Sequence, residues 1–474
     1  NNALKLNTTA SNNTAVGTQA LQATTTGHSN TAIGRDALKA NTANYNVGVG
    51  NQALAANTSG EDNTGVGNSA LATNTTGNDN TALGDNALVF NTTGSNNTGL
   101  GSLAGYSNTT GHSNTSVGSE ALRLNTTGAS NVAVGALALD ANTTGESIVA
   151  IGKDALGANT TGVSNVAVGK GALASATVAN NNTAVGTHAL NASTTAVQNV
   201  VVGAFAADAI TTGNDNAVLG TYALGVCTTG SNNIAIGTSS LGANTTGSSN
   251  TAVGAAALDA NTTGSANVAI GNDSLSENTV GAHNTAIGRS ALQNNTSSSN
   301  TAIGRGALVS NTTGTQNTSV GHNAGDLITT GDNNLTLGYN SDPSSATADN
   351  EVTLGNSSIA TLRCNVQTIS SLSDARDKTN VIDLPEGLDF VTKLRPVKFE
   401  WATRDGNGKD GSFEHGFIAQ DLQTAQKEND ADYLNMVMDE NPDRLEASYG
   451  KLVPILVKAI QELTIEVNKL KSNG

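Results

Sequence analysis

The residues best suited to covalent chemistry lie together in Ser371 to Val381, with the sequence Ser-Leu-Ser-Asp-Ala-Arg-Asp-Lys-Thr-Asn-Val. A serine hydroxyl is a poor nucleophile until a neighbouring group takes its proton. A lysine amine can take that proton only when neutral, which requires burial or a nearby cation to lower its pKa from about 10.4. Taken alone, however, Ser-Asp followed by further charges is typical of a helix start, with Ser373 as the cap and Lys378 in solvent.

Residue types that bind metals or form cross-links are dispersed. The six histidines extend from His28 to His415 without clustering, and a metal site requires clustered ligands. The two cysteines, Cys227 and Cys364, provide neither a disulfide framework nor metal-ligand spacing. Turn acids such as Asp79 are better explained as solvated residues than as calcium ligands. We predict no metal site and no cofactor.

A 17-residue repeat fills the first three quarters of the chain. The block Asn-Thr-Ala-Val-Gly begins at Asn13 and recurs until Glu351, with two intervals that are one residue short. The full pattern is Asn-Thr-Ala-Val-Gly-x-x-Ala-Leu-x-x-Asn-Thr-Thr-Gly-x-x. Position four is Val, Ile or Leu and position five is Gly in all 21 copies, and position nine is Leu in 16 of them. A strict period of this length indicates stacked coils rather than a compact globule.

Each repeat predicts one coil of a solenoid. An aliphatic residue followed by Gly is typical of a short strand ended by a turn with positive φ, and the second Gly, as at Gly77, closes another turn. We expect about two short strands per coil and two buried aliphatic side chains, at positions four and nine. They would stack about 4.8 Å apart, beside hydrogen-bonded ladders of Asn and Thr. Because one coil cannot bury these side chains alone, neighbouring coils and partner chains must stabilise it.

The chemistry of the chain changes after the repeats. Lys and Arg number 9 before residue 371 and 13 from there onward, against 19 acidic residues in each part. All five prolines, the single Trp and both methionines also lie beyond the regular repeats. We predict a shaft over residues 1–356, a linker over 357–372 and a globular domain over 373–474. The last element of that domain would be a helix over 451–470.

The terminal helix carries apolar residues at spacings of 4, 4, 3, 4 and 3, which is close to a heptad seam. These residues are Leu452, Leu456, Ile460, Leu463, Val467 and Leu470. The spacing favours a short parallel coiled coil over an amphipathic helix packed on its own domain.

Composition excludes several classes of function. The net charge of −16 argues against a nucleic-acid partner, and no stretch of 18 apolar residues is available to enter a membrane. Sugar binding usually recruits aromatic faces, and aromatic residues form only 3 % of the chain, so the sequence does not identify a receptor site in the shaft. Because Asn1-Asn2-Ala3-Leu4 aligns with Thr18-Gln19-Ala20-Leu21, the chain begins in mid-repeat. We therefore expect a preceding segment with a secretion signal or attachment domain.

An Asn-Thr-Thr triplet satisfies the N-glycosylation sequon in successive coils. The acceptor residues would be Asn74, Asn91, Asn108, Asn125 and Asn142. In a protein secreted by a eukaryotic pathway they would carry a row of glycans, and otherwise they are turn and ladder residues. The second interpretation is favoured.

Both parts of the chain resemble known families. The repeat is similar to the head repeats of trimeric autotransporter adhesins, whose Val-Ala-Ile-Gly core forms a β-roll in a homotrimer, and to repeats of phage and algal-virus tail fibres. Its period of 17 is longer than that of the adhesin heads.

The C-terminal part resembles the intramolecular chaperone of phage endosialidases and tail spikes, which is also found in the myelin regulatory factor. The matches are Ser-Asp-x-Arg-x-Lys, a strand over 394–401, Gly-Phe-Ile-Ala-Gln and a terminal helix. The residues concerned are Ser373, Asp374, Arg376, Lys378, Asn380, Gly416, Phe417, Ile418, Ala419 and Gln420.

This resemblance implies a trimerising chaperone that cuts itself off after folding. The cut would fall between Leu372 and Ser373, with Ser373 as nucleophile and Lys378 as base. Burial of Lys378 on assembly would delay cleavage until the trimer is complete. An ion pair with Asp377 would oppose this by keeping the lysine charged.

We therefore predict a mostly β fold, with about 21 solenoid or β-roll coils followed by an α+β chaperone domain ending in a coiled-coil helix. The protein would be a homotrimeric viral tail fibre or spike, structural and adhesive, that binds a host-surface glycan or protein receptor. It would reside in the virion tail or at a cell surface. The alternatives are a cellular adhesin, an extracellular glycosylated filament, a polysaccharide-degrading spike and an ice-binding solenoid. Any catalysis would be a single self-cleavage.

Overall fold

The computed structural model describes residues 2–359, 361–363, 373–402, 411, 413–439 and 445–472. The chain divides into two compact units, Asn1–Asn317 and Thr318–Gly474. The repeats form the predicted parallel β-solenoid, and a small α+β region with a terminal helix follows.

The first unit contains one three-residue strand in each coil. The strands are β1 Thr14–Val16, β2 Thr31–Ile33, β3 Val47–Val49, β4 Thr64–Val66, β5 Thr81–Leu83, β6 Thr98–Leu100, β7 Thr115–Val117, β8 Val132–Val134, β9 Val149–Ile151, β10 Val166–Val168, β11 Thr183–Val185, β12 Val200–Val202, β13 Ala217–Leu219, β14 Ile234–Ile236, β15 Thr251–Val253, β16 Val268–Ile270, β17 Thr285–Ile287 and β18 Thr301–Ile303. The prediction of about two strands per coil was wrong. After the strand the chain runs in successive turns, in which Leu at position nine has a positive φ, for example 50° at Leu88.

The second unit begins with three more coils and ends in mixed structure. Its elements are β19 Thr318–Val320, β20 Leu335–Leu337, β21 Val352–Leu354, α1 Leu388–Lys393, β22 Val397–Glu400, β23 Phe413–Gly416, α2 Ala419–Glu428, β24 Val437–Met438, β25 Glu446–Ala447 and α3 Leu452–Ser472. β22 pairs antiparallel with β23, and β24 with β25. Among the described residues, no helix is both long and apolar enough to cross a membrane.

Within each unit, every repeat strand pairs in parallel with the strand one repeat later. Thr14 is opposite Thr31 and Val16 is opposite Ile33, and equivalent positions face each other in the coils that follow. The register also holds where the interval is one residue short, because Ile287 is opposite Ile303. Each coil therefore repeats the contacts of its neighbour.

The side chains that fill the interior of the coil differ from those that the sequence predicted. The alanine at position three, as in Ala82, and the leucine at position nine, as in Leu88, are fully or almost fully buried. They pack against each other inside the solenoid, since Leu88 Cγ lies 3.0 Å from where a Cβ on Gly99, at position three of the next coil, would stand. The residue at position four points outward, and Leu83 and Leu219 are 46 % and 51 % exposed.

The prediction of a buried side chain at position four was therefore wrong. Successive side chains of a strand point to opposite faces, so a three-residue strand with its central residue inward must turn both neighbours outward. We call the side chains at positions two and four the outer strand face.

Two asparagine ladders connect the coils, as the repeat predicted. At position one, Asn80 N–H donates to Asn63 Oδ1 at 3.0 Å, and its Nδ2 donates to Gly94 O at 2.9 Å. At position twelve, Asn91 Nδ2 donates to Asn74 Oδ1 at 2.8 Å and also to Gly94 O at 2.9 Å. A Cβ at Gly94 would lie 2.5 Å from Asn91 Oδ1, so this turn requires glycine. The threonine hydroxyls add a parallel ladder, with Thr75 Oγ1 donating to Thr92 O at 3.0 Å.

A small second core holds the C-terminal region together. Phe390 of α1, Leu422 of α2 and Leu452 and Ile455 of α3 are buried with Met436. Glu462 of α3 also fixes the start of α1, because its Oε2 accepts a 2.7 Å hydrogen bond from Leu388 N–H. The first half of α3, from Leu452 to Glu462, therefore contacts its own domain.

Candidate active site

A short 3-10 turn over Ala375–Asp377 folds the start of the C-terminal region back on itself. Asp374 caps this turn, accepting a 2.9 Å hydrogen bond from Arg376 N–H, and its carboxylate also binds the Arg376 guanidinium at 2.6 Å. The neighbouring guanidinium lowers the pKa of Asp374. Because Asp374 and not Ser373 is the cap, the alternative in which Ser373 caps a helix is wrong.

The turn brings the two predicted reactive groups together. Lys378 Nζ donates a 2.6 Å hydrogen bond to Ser373 Oγ and lies 3.4 Å from the carbonyl oxygen of the same residue. This separation suits direct proton transfer from the hydroxyl to the amine. Both side chains are exposed. Lys378 is thus bound to Ser373 rather than only solvated.

The charged residues next to Ser373 and Lys378 do not form an ion pair with Lys378 among the described residues. Arg376 is engaged by Asp374, and the ion pairs of the described residues do not include one between Asp377 and Lys378. The lysine therefore contacts the serine without a carboxylate partner among the described residues. Leu372, and with it the predicted scissile bond, lies outside the described residues.

The other motif residues connect a strand to a helix. Gly416 ends β23, and Ala419 begins α2 two residues after Phe417. Phe417 N–H donates to Tyr449 Oη at 3.2 Å, and the two rings meet edge to face. A Cβ on Gly416 would lie 2.5 Å from Tyr449 Oη, which accounts for glycine there. Ile418 and Gln420 are exposed, and Asn380 adopts a left-handed conformation with φ 53°.

The five predicted glycosylation sites are inside the coils. Asn74, Asn91, Asn108, Asn125 and Asn142 are at most 1 % exposed. Each Nδ2, the atom that would carry a glycan, is bound within the ladder, as in the 2.8 Å bond from Asn142 to Asn125. A glycan cannot occupy this atom in the folded coil, so these five asparagines do not fit the predicted row of glycans.

Metal-ligating side chains do not cluster. The described residues contain no group of three or more His, Cys, Asp or Glu that could hold an ion. Cys227 is buried in place of a ladder asparagine, where burial raises the pKa of its thiol, and Cys364 lies outside the described residues.

The sequence analysis missed one surface of the molecule. The outer strand face presents aliphatic side chains to solvent on successive coils, including Ile33, Ile151 and Ile270 at 38 to 42 % exposure. The aliphatic residue present at position four of all 21 repeats could have indicated this surface, but the sequence analysis predicted that it is buried.

The C-terminal region matches a known family. Residues 373–430 match the family model described as chaperone of endosialidase, or peptidase S74. The matched segment starts at Ser373 and includes Lys378 and the Gly416–Gln420 motif. No curated protein and no solved structure matches the chain. The chain therefore joins a β-solenoid shaft to a chaperone-of-endosialidase domain, a combination that fits a fibre of the tail-spike type.

Proposed function

We propose that this chain is a subunit of a homotrimeric, adhesive viral tail fibre or spike. Its C-terminal domain directs assembly of the trimer and then releases itself by cleavage between Leu372 and Ser373. Domains of the chaperone-of-endosialidase type act in trimer assembly, which supports self-association of this chain.

The outer strand face is the observation that carries this proposal. Every strand of the repeats, β1 to β21, bears Val, Ile or Leu at position four, and no charged residue stands at position two or four of these strands. Such a face repeats on coil after coil, and an extended apolar surface of this kind marks an interaction site rather than the usual surface of a monomer. Other copies of the same chain present the same face at the same spacing, so they are suited to cover it.

The seam of α3 supports the same assembly. Leu456, Ile460, Leu463 and Leu470 are 43 to 74 % exposed, whereas Leu452 and Ile455 anchor the helix to its own domain. An apolar seam left open beyond the anchored turn is suited to a parallel coiled coil with two further copies.

Assembly would also activate the serine. Burial of Lys378 at an interface favours its neutral form, which accepts the Ser373 proton. Oγ then attacks the carbonyl carbon of Leu372. The bond from this carbon to the Ser373 nitrogen breaks, and that nitrogen receives the proton from Lys378. Water hydrolyses the resulting ester, which restores the hydroxyl and separates the two chains.

Intact-mass spectrometry of the purified protein tests this function. The wild type should yield fragments ending at Leu372 and starting at Ser373, because the trimer supplies the buried environment. Ser373→Ala should remain full length, and Lys378→Met should cleave at least about 100-fold more slowly, since general-base catalysis is lost.

Asp377→Asn is the matched control, because this neighbouring residue makes no ion pair with Lys378 in the described structure. It should cleave at the wild-type rate. Light scattering should show trimers for all four proteins. A wild type that stays full length after complete trimerisation contradicts the self-cleavage, and a monomeric protein contradicts the assembly.

A further inference from the structure

Three aromatic rings stack along consecutive coils of the first unit. His188, Phe205 and Tyr222 occupy position seven, with ring centroids 5.5 Å apart in both pairs and interplanar angles of 21° and 11°. The next residue in this row is Ser239, so the ladder of rings ends at Tyr222. Tyr222 is 54 % exposed, and one aromatic face is thus open for a further flat group.

A groove of about 500 Å³ lies beside this ring. Its floor consists of Gly225 and Gly242, the position-ten residues of two successive coils, while the coils on either side carry Asp208 and Asp259 there. The volume falls within the range of about 300–1,000 Å³ that is usual for small-ligand sites. Position ten directly follows the buried leucine at position nine, which faces the strand from the other side of the solenoid interior. The groove therefore lies away from the outer strand face.

The backbone ladder is interrupted in the same place. In the coils before and after, the N–H of position eleven donates to the position-ten carbonyl of the next coil, as from Ala192 to Asp208 at 2.9 Å and from Ala243 to Asp259 at 2.7 Å. Among the described residues of the groove, the equivalent bonds from Ala209 to Gly225 and from Val226 to Gly242 are not formed. Two backbone donors and two carbonyl acceptors therefore remain available to a ligand.

The polar side chains of the groove include the carboxylate of Asp208, which accepts hydrogen bonds, and the hydroxyl of Ser239. Asp208 Oδ1 lies 3.8 Å from the position of a Cβ on Gly225, which places the carboxylate beside the floor. The Asp208 carboxylate repels a further negative charge in the groove, and burial already raises the pKa of Asp208 by disfavouring its charged form. The Ser239 hydroxyl and the exposed Val226 complete a lining of mixed polarity.

We propose that this groove binds a neutral saccharide, with one sugar ring stacked on the open face of Tyr222. The apolar face of a sugar ring suits an aromatic platform, and its hydroxyls pair with the carboxylate and with the free backbone groups. This proposal adds to the proposed adhesive function a class of ligand and a binding site on the coil. The biological significance of the site rests on that proposed function.

The test is titration of the purified, assembled protein with glucose, galactose, mannose and N-acetylglucosamine, with binding measured by saturation-transfer NMR. Glucuronic acid and glucosamine serve as charged probes. We expect at least one neutral sugar to bind. Tyr222→Ala should weaken binding about tenfold or more, because the stacking platform is lost. Gly242→Asp should do the same by filling the floor with a residue that coils tolerate at position ten, as at Asp259.

Tyr45→Ala is the matched control. Tyr45 is equally exposed, at 52 %, but it stands at position sixteen, outside the groove. Binding should be unchanged in this variant, and light scattering should show that no substitution alters assembly. The proposal is overturned if no neutral sugar binds, if Tyr222→Ala and Gly242→Asp bind as well as the wild type, or if only a charged sugar binds. Any of these results on a trimeric, self-cleaved protein leaves the proposed function intact.

Discussion

Single asparagines carry much of the polar contact between coils. Asn108 is 1 % exposed, and its Nδ2 donates both to Asn91 Oδ1 at 2.8 Å and to Gly111 O at 2.9 Å. It also accepts a hydrogen bond from Asn125 Nδ2 at 2.9 Å. A buried polar group that loses its partner costs about 1–3 kcal/mol, so the ladder is sensitive to the removal of one member.

We predict that Asn108→Ala lowers the free energy of unfolding by about 1–3 kcal/mol. Asn68→Ala should lower it by less than about 0.5 kcal/mol, because Asn68 is exposed and only bonds Asp85 and Asn51 at the surface. Chemical denaturation of both purified variants measures the difference. Equal stability of the two variants would show that the buried ladder does not contribute as proposed.

Residue-level chemistry was partly predictable. The period placed Asn at equivalent positions of each coil, from which ladders follow, and the motif around Ser373 and Lys378 indicated a pair that lies 2.6 Å apart. The direction of position four was not predictable, because a repeat length does not say which face of a strand points inward. The open face of Tyr222 was equally hidden, since it depends on the neighbouring coil.

At the scale of elements, the coils of the second unit depart from the regular pattern. Asp342 stands at position nine, where most coils have leucine, and its Oδ1 accepts a 3.1 Å hydrogen bond from Leu327 N–H. Burial, together with the nearby Asp326, raises the pKa of Asp342 to about 6. The folded unit therefore binds this proton more tightly than the unfolded chain does.

This shift predicts a pH-dependent stability. The contribution of Asp342 is fully present below its unfolded pKa of 3.8 and is lost as the pH rises through about 6. Because the side chain is only half-buried, solvent screening limits the effect to about 1 kcal/mol. Thermal unfolding of the second unit at pH 5 and pH 7 should show the loss in the wild type and a smaller loss in Asp342→Asn, which keeps the acceptor for Leu327.

Asp349→Asn provides the comparison within the same coil, since Asp349 is exposed. This variant should retain the pH dependence of the wild type. If Asp342→Asn retains it as well, the proton on Asp342 is not linked to folding.

The sequence correctly predicted that each coil contains a short strand, but it predicted about two strands per coil where there is one. Gly at position five and the aliphatic pentapeptide correctly indicated a strand and its end, and the β22 segment was anticipated by its Pro-Val-x-Phe-x-Trp pattern. The second strand of each coil is replaced by turns in which leucine takes a left-handed conformation, as at Leu88. Such a conformation costs a non-glycine residue free energy, so propensity alone argues against it, and burial in the coil stabilises it instead.

At the scale of the whole molecule, two unpaired apolar surfaces point to the same assembly. Most of the outer strand face lies in the first unit, the α3 seam lies in the second, and each surface is covered if three copies associate. The seam allows the sharper experiment, because its residues are exposed while Leu452 and Ile455 hold the fold of the domain.

Replacing Ile460 and Leu463 together with Asp should therefore convert trimers into monomers without unfolding the domain. Two charges in each of three seams cannot be buried without partners. Gln461→Asp, on the opposite side of α3, should remain trimeric. Light scattering measures the outcome, and circular dichroism checks the fold. Trimers that persist in the double variant would show that the seam is not required for assembly.

The unchanged register from coil to coil has a genetic consequence. Because equivalent residues face each other across every interval, even where one turn is shorter, deleting or duplicating one whole repeat would bring matching surfaces together again. Recombination between such similar stretches of DNA would then alter a fibre's reach in increments of about 4.8 Å while leaving its terminal chaperone intact. We expect natural isolates to differ in the number of coils more readily than in the geometry of any one of them.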